Sequence, residues 1–373
     1  MRKTLIALAV LGISAGVAHA QSSVAIYGIV DTGYVKETGR DLRMGSNVDN
    51  RIGFRGSEDL GGGLKATFEL ERRFDLNDGQ NGNSGVPRYE GPGAGAFSPD
   101  WDGSANVGLA GDWGRVRFGR IDELTTETIR SFDPFGQYGV GSMIYSTQRS
   151  ESIDNTVRYD SPNWGGFSFG LSYSLGSNTK NDNWDDTLQG QDNDGWGINL
   201  SYDNGPLALT GNFSRLADSD KSRVWNLAAA YRFGDARVSL LYENTRDKGW
   251  KLAKSSDSLA EQGGLFPGPV NAESKQQVWL LGLEWGIGPG ELDASVQYFR
   301  LKPYEGGEPQ ADTRSNWKYA LGYTYNLSRR TAAYAQTSYT RYNKGDDYFT
   351  GEWYHGLKRG SVTAFQLGVT HRF

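Results

Sequence analysis

The sequence predicts an all-β fold, a sixteen-stranded antiparallel transmembrane β-barrel, on three observations. Apolar and polar residues alternate at a period of two along the chain after residue 20, as in strands with one face in an apolar environment. Short glycine-rich turns alternate with long polar connections, which is typical of barrels with short periplasmic turns and long external loops. Aromatic residues make up 13% of the chain and 51 residues are glycine, a composition that fits a barrel with aromatic girdles.

The alternation is clearest in two segments. In GFSFGLSYSLG (166–176), every second residue from Phe167 to Leu175 is large and apolar, and the residues between are serine or glycine. In WKYALGYTYNL (317–327), every second residue from Trp317 to Leu327 is aromatic or leucine. A soluble β-sandwich also alternates, because each sheet buries one face. It requires neither aromatic residues at both ends of that face nor a strict order of short and long connections, so the sequence favours the barrel.

Sixteen strands are predicted, an even number as in single-chain bacterial barrels, and such a barrel is wide enough to hold an aqueous lumen. The predicted strands are 24–35, 51–57, 64–75, 104–111, 114–120, 154–160, 166–176, 195–203, 206–216, 223–233, 236–246, 277–286, 291–301, 316–326, 331–343 and 361–373. The long polar connections between them are 36–50, 76–103, 121–153, 177–194, 217–222, 247–276, 302–315 and 344–360.

The last eleven residues, TAFQLGVTHRF (363–373), are predicted to form the final strand. Apolar Phe365, Leu367 and Val369 alternate with polar or small residues. This strand must pair with the first one, because an open sheet edge in lipid leaves backbone groups without hydrogen bonds. Phe373 is predicted to lie at the periplasmic rim, in an aromatic girdle, where it contributes to barrel closure and assembly.

Residues 1–20 are predicted to be a cleaved secretory signal peptide, and residues 21–373 a single barrel domain. Arg2 and Lys3 precede an apolar run that ends in an Ala-His-Ala cleavage site at 18–20. The formal net charge of the chain is −5, which disfavours nucleic acid as a partner. The chain has no cysteine, so the predicted fold does not depend on disulfides.

Several segments resemble the β-proteobacterial (neisserial-type) general diffusion porins of Gram-negative bacteria. The resemblance extends over the chain after residue 20 and is carried by SSVAIYGIVDTGY (22–34), RIGFRGSEDLGGGLKATFELE (51–71), GRVRFGR (114–120), NTVRYDSPNWGGFSFGLSY (155–173) and the terminal HRF. It implies a homotrimer in the cell outer membrane, in contact with outer-membrane lipid and lipopolysaccharide. It also implies passive passage of ions and small hydrophilic solutes through a water-filled pore, without enzymatic activity, and a third loop that folds into the lumen and narrows it.

One sector of the lumen wall is predicted to be rich in arginine. On the second strand Ile52 and Phe54 are assigned to the lipid face, so Arg51 and Arg55 face the lumen. The same argument turns arginines on the third, fifth and sixth strands toward the lumen: Arg73, Arg117 and Arg158. These five residues are the candidate basic side of a pore constriction.

The connection 121–153 is the one expected to fold inward and to supply the acidic side of that constriction. Its first part includes Arg130 and four carboxylates: Asp122, Glu123, Glu127 and Asp133. Opposite charges across a narrow opening create a transverse field, which orients polar solutes and sets ion preference. The alternative is that the wall arginines pair with lumen carboxylates such as Glu71 and only stiffen the barrel.

The sequence departs from the anion-selective porins at two positions. Those proteins add arginines near the start of the fourth strand and before the sixth strand. Asp102 and Gly103 stand at the first position and Ser152 at the second. We therefore expect weak ion selectivity.

A contact between subunits leaves a weaker signal in the sequence. Ala333, Ala335 and Thr337 on strand 15 are small where large lipid-facing residues are usual, and so are Gly28 and Thr32 on the first strand. Small outward residues allow neighbouring backbones to approach closely. The alternative is ordinary tolerance of small residues in contact with lipid.

No cofactor or metal site is predicted. Only His355 and His371 follow residue 20, and they support neither a zinc site nor a Ser/His/Asp triad. The acidic stretch 181–195 is interpreted as a solvated external loop. The alternative functions are a solute-specific channel of the same barrel class with Tyr27 and Tyr138 in a binding track, an outer-membrane barrel enzyme, and an adhesion protein that uses the second, fourth and sixth loops.

Overall fold

The computed structural model describes residues 22–79, 100–143, 152–175, 194–216, 222–248, 273–305, 307–309, 313–343 and 360–373. The predicted signal peptide, His355 and positions 181–193 of the acidic stretch lie outside the described residues.

Sixteen long antiparallel strands form one closed barrel, which confirms the predicted fold class. The strands are β1 (Ser23–Glu37), β2 (Arg51–Gly61), β3 (Leu64–Arg73), β4 (Ala105–Gly111), β5 (Gly114–Asp122), β6 (Ser152–Asp160), β7 (Phe167–Ser174), β8 (Gly195–Asn204), β9 (Leu207–Arg215), β10 (Arg223–Phe233), β11 (Ala236–Asp247), β12 (Glu273–Ile287), β13 (Gly290–Glu305), β14 (Arg314–Asn326), β15 (Thr331–Tyr342) and β16 (Ser361–Arg372). One helix, α1 (Leu124–Phe132), follows β5.

Several strands are longer than the sequence predicts. β2 continues to Gly61 rather than to 57, so only Gly62 and Gly63 remain as its turn to β3. β12 begins at Glu273 rather than at 277 and pairs along this extension with both neighbouring strands. The residues of these extensions are mostly polar, and the apolar alternation does not mark them because backbone pairing continues beyond the apolar band. Two short strands, Arg43–Gly45 and Glu308–Pro309, pair with β1 and β13 inside predicted loops.

The barrel closes between β1 and β16, as predicted. The register runs from Ile29 opposite Arg372 to Glu37 opposite Ala364. One residue further along the seam, the backbone groups of Gly28 and Phe373 exchange two hydrogen bonds of 3.1 Å. The first and last strands therefore satisfy each other's backbone groups, which removes the open edge that lipid does not tolerate.

The two faces of each strand differ in polarity and exposure. On β16 the outward Phe365 and Leu367 are 55% and 57% exposed, whereas the intervening Gln366 is 2% exposed because it faces the packed interior of the barrel. Outward leucines on β8, β10 and β11 show the same exposure. The outer surface is thus an apolar band that suits contact with lipid.

Aromatic side chains form two bands on the outward face. Near the long loops, Tyr242, Trp279, Tyr298 and Trp317 stand directly opposite one another on β11 to β14, with successive ring centroids 5.0, 5.4 and 4.8 Å apart. We call these four residues the aromatic ladder. A second band lies near the short turns and includes Trp113, Tyr159, Phe167, Tyr202 and Phe233.

The seam between β1 and β16 depends on the small size of Gly28. A Cβ atom at this residue would lie 2.4 Å from Cζ of Phe373 and 2.6 Å from the carbonyl oxygen of Arg51. The ring can move, but the strand carbonyl cannot move without disturbing the sheet. We expect Gly28→Val to lower the yield of folded, heat-modifiable barrel on an SDS gel, with a destabilisation of about 1–3 kcal/mol as for overpacking.

The control is Ile26→Val, a change at an exposed residue on the same face of β1. It should fold as the parent chain does. Equal folding yields for Gly28→Val and the parent chain would contradict the close approach at the seam.

Candidate functional site

The segment that follows β5 turns away from the sheet and starts with a capped helix. The Glu123 carboxylate accepts hydrogen bonds from the backbone N–H groups of Thr125 and Thr126 at 2.8 and 3.2 Å. A carboxylate at this position satisfies free helix donors and interacts favourably with the helix dipole. Residues 123–143, which comprise the cap residue, helix α1 and the residues after it, are called the inward segment below.

The helix lies against the lumen-facing side of the strands β8 to β11. Asn212 on β9 donates a hydrogen bond of 2.6 Å to the Thr128 hydroxyl, and Ser239 on β11 donates one of 2.7 Å to the Phe132 carbonyl. Asn212 and Ser239 both alternate with outward residues of their strands, so these contacts are made inside the barrel.

The far end of the inward segment is held by β13 to β16. The Val140 N–H donates to the Gln366 side chain at 3.1 Å, and the Lys318 ammonium donates to the Ser142 carbonyl at 2.7 Å. The Gln297 amide on β13 donates hydrogen bonds of 3.3 Å to the carbonyls of Gly141 and Ser142. The segment therefore runs along the inner wall from β8 round to β16.

Between these two ends the inward segment covers an apolar layer. Ile129, Phe132 and Met143 pack in one cluster with inward side chains of β10 to β13: Ala228, Ala230, Leu241, Val278, Leu280, Phe299 and Leu301. Burial of each large apolar side chain contributes about 1.5–3 kcal/mol. These strands thus carry apolar residues on both faces. The segment VWLLGLEW (278–285) shows consecutive apolar residues in the sequence, but the alternation alone did not assign a role to those that face inward.

On the opposite wall, the predicted arginines of β5 and β6 share one carboxylate. Arg117 and Arg158 each lie 2.8 Å from the Asp160 carboxylate. Arg158 also forms an ion pair of 2.6 Å with Glu127 of α1. The lumen wall and the inward segment are therefore in direct contact at this point.

The arginines of β2 and β3 form a second group. Arg51 and Arg73 lie 3.4 and 3.6 Å from the Glu71 carboxylate, and Arg73 lies 3.3 Å from Asp49. Arg51 donates a further hydrogen bond of 2.9 Å to the hydroxyl of Tyr138 in the inward segment. This is the second direct contact between the wall and the segment.

The fifth predicted arginine stands apart from these two groups. The Arg55 side chain is exposed, and its guanidinium carbon lies 5.0 Å above the ring of Tyr27. The Tyr27 hydroxyl donates to Glu69 and Glu71 at 3.0 and 3.2 Å. The Arg55 side chain thus remains accessible to water, whereas Arg51 and Arg73 are paired with Glu71 of the wall.

The four predicted acidic residues have different surroundings. The Glu127 side chain keeps 39% of its surface exposed while it contacts Arg158. Asp122 accepts hydrogen bonds of 2.8 Å from Arg130 and from Ser152. These two carboxylates can contribute charge to the lumen.

Glu123 and Asp133 are instead buried, and their oxygens are occupied by hydrogen bonds. Asp133 accepts from the N–H groups of Phe135, Gln137 and Met143 at 3.1, 2.9 and 2.8 Å. Burial raises the pKa of both carboxyls above their usual values, although these hydrogen bonds oppose the shift. Both residues shape the inward segment rather than face water.

Several residues of the site were not assigned by sequence reasoning. Asp160 lies on the predicted lumen face, but its role as the shared partner of two arginines depends on the register between β5 and β6. Lys318 stands between Trp317 and Tyr319, and a lysine on the lumen face was a usable signal. Asp49 lies in a connection without periodicity, so no pattern marked it. Among the described ranges, no three His, Cys, Asp or Glu side chains are grouped as metal ligands.

At Gly103, where the sequence departs from the anion-selective porins, the Glu71 side chain stands where a larger residue would place its Cβ atom. A Cβ atom at this residue would lie 2.6 Å from Oε1 and 2.9 Å from Cβ of Glu71. The adjacent Asp102 is buried and accepts a hydrogen bond of 2.8 Å from the Arg73 N–H. The space beside the start of β4 is therefore occupied by Glu71.

A closed antiparallel barrel with an apolar outer band, aromatic girdles and a charged lumen defines an outer-membrane channel protein. The chain belongs to the Gram-negative porin family, whose model matches residues 7–345. It is 30% identical to an outer membrane porin protein of Bordetella pertussis and 23% identical to the major outer membrane protein P.IB of Neisseria meningitidis, with 100% of both chains covered in each case.

The solved structure of an anion-selective porin from Comamonas acidovorans is also similar. It is 27% identical, with a TM-score of 0.70, and the match covers 95% of this chain and 100% of that one. These similarities confirm the family predicted from the sequence. The chain is an outer-membrane diffusion porin through which ions and small hydrophilic solutes pass.

The shape of the inward segment depends on Asp133. We expect Asp133→Ala to leave three buried N–H groups without their acceptor, at about 1–3 kcal/mol for each. The segment should then become more sensitive to limited proteolysis, and single-channel recordings should show larger fluctuations of the open current. Ser131→Ala, at an exposed residue of the same helix, is the matched control. An Asp133→Ala channel whose open current fluctuates no more than that of the parent, and which resists limited proteolysis as the parent does, would contradict this role.

Proposed function

We propose that solutes cross this porin between the strands β2 to β6 and the inward segment, and that charged residues along this opening select them. The observation that carries the proposal is the pair of contacts at which the segment meets the wall, Arg158 with Glu127 and Arg51 with Tyr138. The apolar layer and the hydrogen bonds to β8–β16 fill the other side of the segment. The route for water therefore lies on the side of the arginines.

The net charge along this opening is smaller than the number of arginines suggests. Arg117 and Arg158 share Asp160, and Arg51 and Arg73 share Glu71. Opposite charges at these distances offset one another's field in the lumen. In Sequence analysis, arginines that pair with lumen carboxylates and arginines that border a constriction are two alternatives. The same arginines can do both in this wall.

We infer a weak preference between anions and cations. The similar structure from Comamonas acidovorans is described as anion-selective, but here Glu71 fills the space beside Gly103. The exposed charged side chains along the opening are of both signs, with Arg55 on the wall and Glu127, which pairs with Arg158, on the segment. Such an opening acts mainly as a size filter with a transverse field.

Removal of the Glu71 charge tests this inference. We expect Glu71→Gln to shift the reversal potential toward the chloride limit, which is about 59 mV for a tenfold gradient of a monovalent ion, because two arginines lose their shared counter-charge. Glu58→Gln removes the same charge at an exposed residue near a short turn and should leave the reversal potential unchanged. An unchanged or opposite shift for Glu71→Gln would contradict the proposed charge balance.

The passage is proposed to be passive, without a reaction and without a saturable solute site. The two tyrosines considered for a binding track are engaged with the wall: Tyr27 with Glu69 and Glu71, and Tyr138 with Arg51. These contacts support a general channel over a solute-specific one.

We also propose that residues 1–20 are removed on export and that the chain assembles as a homotrimer through the outward side of β15, β16 and β1. Ala333, Ala335 and Thr337 do lie on the outward face of β15, where Tyr339 is exposed. These three side chains are smaller than the outward rings of the aromatic sector formed by β11 to β14. Small outward residues permit close packing of two barrels.

A bulky residue in this sector tests the trimer. We expect Ala335→Trp to reduce trimer yield on a native gel after detergent extraction, because the ring separates the neighbouring backbones. Leu227→Trp, a change on the outward face of β10, is the control and should leave the trimer intact. Trimer yield that is equal in both variants would contradict the proposed interface.

A further inference from the structure

Three carboxylates face the lumen near the short turn that joins β12 to β13. Glu284 on β12 stands directly opposite Asp293 on β13, and Glu291 lies two residues from Asp293 on the same face of the strand. We call these three residues the periplasmic carboxylates. Strands β12 and β13 are eight strands away from β4 and β5, so the periplasmic carboxylates lie across the lumen from the arginine wall.

The inward segment covers one end of this group. Gly322 on β14 is directly opposite Asp293, and a Cβ atom at Gly322 would lie 2.9 Å from Cε1 of Phe135. The segment therefore passes close to Asp293, whose side chain is only 7% exposed. Glu291, which is nearer the turn, is exposed. The group is thus open toward the periplasm and ends at a buried carboxylate.

The charge of the group is compensated only in part. Arg237 on β11 forms an ion pair with Glu284. Within the described ranges, Asp293 and Glu291 form neither an ion pair nor a side-chain hydrogen bond, and Oδ1 of Asp293 is buried without a partner. Arg232, the next guanidinium on the same side of the sheet, is on β10, three strands or about 14 Å from β13. Two carboxylates therefore remain without a counter-charge.

This arrangement requires a cation. Like charges directly opposite each other on adjacent strands destabilise a sheet, and burial of a charge without a partner costs free energy. An ammonium group has three N–H donors, so it can bridge the carboxylates of Glu284 and Asp293, whose Cβ atoms are about 5 Å apart. A metal ion fits less well, because no three acidic side chains of the described ranges are grouped as metal ligands.

The third carboxylate provides a second point of attachment. Glu291 is about 7 Å from Asp293 along the strand, a separation that suits a second cationic group of the same molecule. We propose that the periplasmic carboxylates bind an organic dication with two primary amines, such as an alkane diamine, which enters from the periplasm. One ammonium group bridges Glu284 and Asp293, and the other pairs with Glu291.

A bound diamine changes the charge balance of the lumen. It neutralises the carboxylates across from the arginine wall, so the field along the opening becomes more positive and anions are favoured. The diamine acts as an effector of ion preference rather than as a permeating solute, because its site lies away from the proposed solute route. The binding does not depend on that route, whereas the effect on ion preference rests on it.

The experiment titrates the purified full-length porin in detergent with cadaverine, followed by calorimetry at low salt, where charge attraction is weakly screened. Pentylamine, which has one amine, and Mg²⁺ are the comparison ligands. The test variant is Glu291→Gln with Asp293→Asn. The matched control is Asp112→Asn with Asp203→Asn, which removes two exposed carboxylates near short turns of the same rim. Both variants therefore have the same net charge.

We expect the parent and the control to bind cadaverine at one saturable site, and the test variant to bind it about tenfold or more weakly, because charge-assisted hydrogen bonds are lost. Pentylamine should bind the parent more weakly than cadaverine does. Equal binding of cadaverine by test variant and parent would overturn the site. Equal binding of pentylamine would overturn the two-point attachment, and tighter binding of Mg²⁺ would overturn the amine as the ligand.

The test variant should fold as the parent does, since it removes two like charges and keeps the shapes of both side chains; the heat-modifiable band on an SDS gel checks this. In single channels, cadaverine on the side of the short turns should shift the reversal potential of the parent toward the chloride limit until the shift saturates. The test variant should show no shift. Binding to the parent without this shift would contradict the charge balance proposed for the pore, whereas absence of binding would overturn the site itself.

Discussion

The structure depends on one constraint, that each backbone N–H and C=O within the hydrocarbon region must be hydrogen-bonded inside the protein. A sheet meets it only when its first and last strands pair, as β1 and β16 do through Gly28 and Phe373. Closure then fixes the parity of all sixteen strands. The parity places leucine and aromatic residues against lipid and places the wall arginines of β2 to β6 and their carboxylate partners inside. The polar lumen and the apolar outer band are therefore two consequences of the same closed sheet.

We propose that the inward segment narrows this wide lumen and makes the passage selective. It covers the side of the lumen where β10 to β13 carry apolar residues on both faces, and it is tied there by Asn212, Ser239 and Lys318. The remaining space is bordered by arginines that are mostly paired. In the proposed pore, the paired charges inside the barrel hold the wall rigid, and exposed charged groups such as Arg55 and Glu127 determine the field that a solute meets.

The fold was predictable from the sequence because every second residue of a membrane-spanning strand faces lipid and is therefore apolar, whereas the residues between face the lumen. The alternation located all sixteen strands, and it placed the five wall arginines on the lumen face. The strand extensions at Gly61 and Glu273 were not predictable, since they lie beyond the apolar band. The roles of the carboxylates depended on the local turns of the inward segment and on the strand register: Glu123 caps a helix, Asp133 accepts hydrogen bonds from three N–H groups within ten residues, and Asp160 joins two arginines of adjacent strands. The alternation of apolar and polar residues, on which the strand assignment rests, does not indicate such contacts.

The central claim is that solutes pass on the arginine side of the inward segment, and cysteine modification in single channels tests it most directly. The chain has no cysteine, so a single cysteine can be placed at Arg55, which is exposed on the wall side, or at Asn226, which is fully buried behind α1. A bulky charged thiol reagent is then added to the open channel. The account predicts a lower conductance after modification of Arg55→Cys and no change for Asn226→Cys. Block through Asn226→Cys, with no effect at Arg55→Cys, would contradict it.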